Sequence, residues 1–70
     1  MSASKIGLHN FVASVRAAVP EDLHPAGLAT IHVWLGHMTH AADRDDPLTV
    51  ARLSKLVTEK VKQEIMWRDE

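Results

Sequence analysis

The chain has no cysteine, no tyrosine and one phenylalanine, with only three glycines and three prolines among its 70 residues. Without cysteine there is neither a disulfide staple nor a Cys-rich zinc framework, so a chain this short must be held by tight helix packing, self-association or a less obvious metal. The glycines, Gly7, Gly27 and Gly36, stand singly, which excludes a glycine-rich phosphate loop.

Charge of one sign is lacking too. Lysine plus arginine total 8 against 9 aspartates and glutamates, so no strong field draws the chain to nucleic acid or to an anionic membrane. No apolar run approaches the roughly 18 residues that span a bilayer, and no basic segment followed by an apolar run opens the chain. A cytoplasmic protein is expected, and the missing cysteine agrees with a reducing compartment. The apolar share of 46% and charged share of 24% are those of a folding chain. Its length makes it one domain, residues 1–70.

What is present is helical periodicity. Leu8, Phe11, Val12, Val15, Ala18 and Val19 recur at steps of three and four and predict a first helix over about 4–19, capped by Ser2 or Ser4 and stopped by Pro20. The connection to the next helix lies between Pro20 and Pro25, and Leu23 is its one side chain able to plug into a core. Leu28, Ile31, Leu35, Met38 and Ala42 form the seam of a second helix over about 26–43, with Trp34 at its border. Asp46 as N-cap and Pro47 at the first helical position start a third helix over about 47–67, which is faced by Val50, Leu53, Val57, Val61 and Ile65. Lys55 with Glu59 and Lys60 with Glu64 are four apart and can pair along its surface.

Leu56 and Trp67 widen the apolar arc of the third helix beyond what one neighbour needs. The expected fold is therefore an all-α three-helix bundle completed by homodimerisation, with Leu53, Leu56, Val57 and Trp67 in the dimer interface.

Chemistry has few anchors. His37, His40 and Asp43 follow one another at steps of three, so two imidazoles and a carboxylate could share a zinc or nickel ion, with the remaining ligand from elsewhere. This is not the His-Glu-x-x-His pattern of zinc proteases, and none of Ser2, Ser4, Ser14 and Ser54 sits in a nucleophile elbow or has a histidine at helical reach. No enzyme is expected, and no cofactor.

Opposite the seam of the second helix, Ala29, Val33, Gly36, His37 and His40 make a side where small residues allow a backbone to come close. With Trp67 as an aromatic anchor, these are the candidate partner-binding residues. The leading expectation is a non-enzymatic protein-binding module, an adaptor or an inhibitor like those that phages encode. A metal-binding helical protein is the alternative. A helix-turn-helix regulator comes last, because Asp43, Asp45 and Asp46 at the head of the third helix would repel phosphates.

Overall fold

The computed structural model describes the backbone of residues 3–69 and the side chains of residues 5–66. Three helices make up the fold: α1 (Ala3–Ala18), α2 (Pro25–Asp43) and α3 (Pro47–Asp69). None is long and apolar enough among the described residues to cross a membrane.

The helix ends follow from short-range chemistry. Pro20 forces α1 to close, and the amide of Val19 makes a last tight turn to the carbonyl of Arg16 at 3.2 Å. His24 is the N-cap of α2: its Nδ1 accepts the amide of Ala26 at 3.2 Å, and Pro25 takes the position where a missing N–H costs nothing.

The link from α2 to α3 is tighter still. Asp45 adopts a left-handed φ of 57°, a conformation that Asp tolerates better than most side chains. The amides of Asp45 and Asp46 then reach back to the carbonyls of Ala42 and Ala41, at 3.1 and 2.9 Å, which closes α2 in a Schellman motif. Asp46 at once caps α3, accepting the Thr49 amide at 3.2 Å and the Thr49 hydroxyl at 2.6 Å. Those two bonds, the hydroxyl first, hold its carboxyl below the usual carboxylate range against the opposing effect of burial, and Arg44 and Arg52 add attraction.

The middle helix touches both others, while α1 and α3 meet least. The core is accordingly built on α2, whose Ile31, Leu35, Met38, Ala41 and Ala42 are buried together with Val12, Val50, Val57 and, from the hinge, Leu23. Leu23 thus occupies the plugging position its sequence setting implies. Trp34 is half-buried against this core, as are Leu8, Val15, Leu28, Leu53, Val61 and Ile65.

Three sequence expectations need correction. Phe11, expected on the core face of α1, is 45% exposed, because α1 packs mainly on α2 and buries the Val12 flank instead. Ala18 is likewise exposed. Val57, expected in a dimer interface, is only 1% exposed and packs in the chain's own core. Ser4 lies inside α1, which begins at Ala3, and Ser2 falls outside the described residues.

Candidate functional site

Helix α2 has three sides, and each has a different use. The first, with Ile31, Leu35, Met38 and Ala42, enters the core. The second leans on α1: the Arg16 guanidinium donates to the Thr39 hydroxyl at 3.4 Å, and His9 Nε2 donates to Asp43 Oδ1 at 2.8 Å. His32 lies on this side as well, lining a hollow of about 510 Å³ with Arg16, Glu21 and Leu35. The third side is the outer one.

All five residues expected on that outer side are exposed: Ala29, Val33, Gly36, His37 and His40. Val33 is a β-branched apolar side chain left 58% exposed. A methyl group added at Gly36 would meet nothing within 4 Å, so the backbone there is open to solvent. The result is a shallow apolar strip with two imidazoles along one edge, a surface another protein element could approach closely. The side chain of Trp67, expected to anchor it, lies outside the described residues.

The expected metal trio is not assembled. Among the described residues no three histidine, aspartate or glutamate side chains are grouped so as to hold an ion. The reason is geometric. Each step of three along a helix rises about 4.5 Å, so His37 and Asp43 stand about 9 Å apart along the axis, and Asp43 is turned to His9 instead.

No family model, curated protein or solved structure matches this chain.

Two features escaped the sequence reading. His9 pairs with a residue 34 positions away, and nothing local marks such a partner. Gly27, read as a lone glycine, is buried where the carboxylate of Glu64 on α3 crosses the first turn of α2; an added Cβ would collide with it. That carboxylate sits near the positive end of the α2 dipole and 3.3 Å from Lys60 Nζ, the expected pair four residues back. The other expected pair, Lys55 with Glu59, is not formed.

On α3 the residues expected at a dimer interface divide. Leu56 is exposed, Leu53 is half-buried against the core and Val57 is inside it. This leaves Leu56 alone among the described members of that set as a strongly exposed apolar side chain.

Proposed function

We propose that the chain is a non-enzymatic protein-binding module that lays the outer side of α2 on a partner protein and acts by occluding or bridging it. The observation that carries this reading is the exposure of Val33 beside the open backbone of Gly36, in the middle of a helix whose other two sides are engaged. Folding gains nothing from a glycine at the centre of an exposed helix side, since it costs about 1 kcal/mol relative to alanine. A contact that needs close backbone approach explains its use there.

Self-association belongs to the same reading. Among the described residues the core contains nine buried apolar side chains, two of them alanines, and burial on this scale nearly balances the entropy of ordering the chain. The cytoplasm is the proposed compartment, on the composition alone.

The test is comparative capture. Immobilised wild-type chain and its Val33→Glu variant are exposed to the same native extract, with circular dichroism confirming equal helix content. The reading expects proteins retained by the wild type and lost by the variant. Identical retention by both would overturn it.

A further inference from the structure

Two hollows in the bundle differ in chemistry. The one beside His32 sets Arg16 against Glu21, charges of both signs. The other lies between α1 and α3, the helix pair that meets least, and encloses about 410 Å³ between the apolar walls of Val15 and Val19 on one side and Val57 and Val61 on the other. Val15, Val19 and Val61 are half-buried against the core, so part of each is left to the groove.

The polar groups there are few and mostly engaged. Ser14 donates its hydroxyl to the carbonyl of Asn10 at 3.1 Å, and Thr58 donates to that of Ser54 at 2.9 Å. Both donors are thus spent within their own helices. Lys62 is the one charged side chain that lines the groove. It takes part in neither ion pair, His9–Asp43 or Lys60–Glu64, and no carboxylate shares the groove with it. Its apolar stem can lie along the wall while the ammonium stays at the rim.

Size narrows the occupant. The lining covers residues 14–19 on one side and 57–62 on the other, a rise of about 7.5 Å along each helix. A docked helix, about 10–12 Å across with its side chains, is wider than that. A small molecule is not. The volume of about 410 Å³ lies within the roughly 300–1,000 Å³ of small-ligand sites, which are mostly apolar, carry a few polar groups that fix orientation, and occur between the helices of bundles.

We propose that this groove binds a medium-chain fatty carboxylate, with the alkyl chain between Val15 and Val19 on one wall and Val57 and Val61 on the other, and the carboxylate at the Lys62 ammonium. Charge decides the head group. One lysine balances a monoanion, whereas a phosphate monoester would bring up to about two charges and three acceptor oxygens to a single free cation. A ligand with a polar ring would lose water from groups that the spent hydroxyls of Ser14 and Thr58 cannot donate to. The site goes beyond the α2 reading and shares no residue with it.

Decanoate titrated into the isotope-labelled full chain at about pH 7.5, where carboxylates are ionised, and below its micellar range, tests the proposal. Amide resonances of residues 14–19 and 57–62 should shift together and saturate, with a dissociation constant of about 1 mM. From hexanoate through octanoate to decanoate the affinity should rise about twofold to fourfold per added methylene, the upper figure being that of full burial. Lys62→Gln should weaken decanoate by up to about fivefold, the range of an exposed ion pair. Thr58→Glu, which puts a carboxylate in the groove and claims Lys62 four residues on, should weaken it at least about tenfold with helix content unchanged. Val33→Glu should bind like the wild type. Absence of saturable shifts at about ten times the expected constant overturns the proposal, and so do shifts centred on the hollow beside His32 or on the outer side of α2. Equal binding of decyltrimethylammonium, which has the same tail and a cationic head, overturns it as well. None of these failures touches the partner reading, which the capture experiment tests separately.

Discussion

Replacing Gly36 with alanine should stabilise the protein while weakening its partner contact. Gly36 lies in the interior of the 19-residue helix α2 and is exposed. It has no positive φ, and an added methyl meets no atom within 4 Å. The variant therefore introduces neither backbone strain nor a clash. What remains is helix propensity, about 0.8–1 kcal/mol in favour of alanine, much of it from the reduced freedom of the unfolded chain. For a domain of this size each kcal/mol moves the midpoint by about 4–8 °C, so a rise of about 3–8 °C is expected in a melt followed at 222 nm. The melt is run at low micromolar concentration, and Gly7→Ala is the comparison. Gly7 is equally open but sits near the start of α1, where fraying should make the gain smaller. An unchanged or lower midpoint for Gly36→Ala would refute the reasoning, because it would mean that the outer side of α2 is already packed against something in the isolated protein. In the capture experiment the same variant should retain less partner than the wild type.

Other substitutions probe the frame that presents this side. Met38→Ala empties the middle of the core, where Met38 is wholly buried; a loss of about 2–5 kcal/mol is expected, enough to leave much of the chain unfolded in a urea titration at low denaturant. Asp45→Gly removes the strain of a left-handed aspartate at the end of α2 and should add up to about 1 kcal/mol in the same titration. The Asp46 cap makes stability sensitive to acid: its folded-state pKa is depressed, so its contribution is complete above the ordinary value of 3.8 and is lost as pH falls through the lowered one. Asp46→Asn should flatten that part of the acid melting curve, and an undiminished loss below pH 4 would assign it to other carboxylates.

These experiments bear on a molecule whose helices and whose cavities have different origins. Helix positions depend on neighbours in the chain. Pro20, Pro25 and Pro47 remove donors at defined places, Asp46 has its cap partner three residues on, and the three-and-four spacing of Ile31, Leu35 and Met38 marks a buried side whatever it is buried against. The exposed outer side of α2 was legible for the same reason, since it is what remains once the seam is assigned. A ligand set was the point at which spacing misled, because proximity along a helix is not convergence on an ion.

The sequence by itself therefore determined three helices, their ends, the Leu23 plug and the free side of α2, all consequences of interactions within a few residues. Only the tertiary structure decided how α1 is rotated, and with it that Phe11 is left exposed, that His9 reaches Asp43 and that Val57 is buried. It also decided that Gly27 makes room for Glu64. Each of these depends on which helix flank meets which neighbour. An apolar arc wide enough for two partners does not specify that choice, since burial is non-directional and the competing packings differ in shape complementarity rather than in pattern.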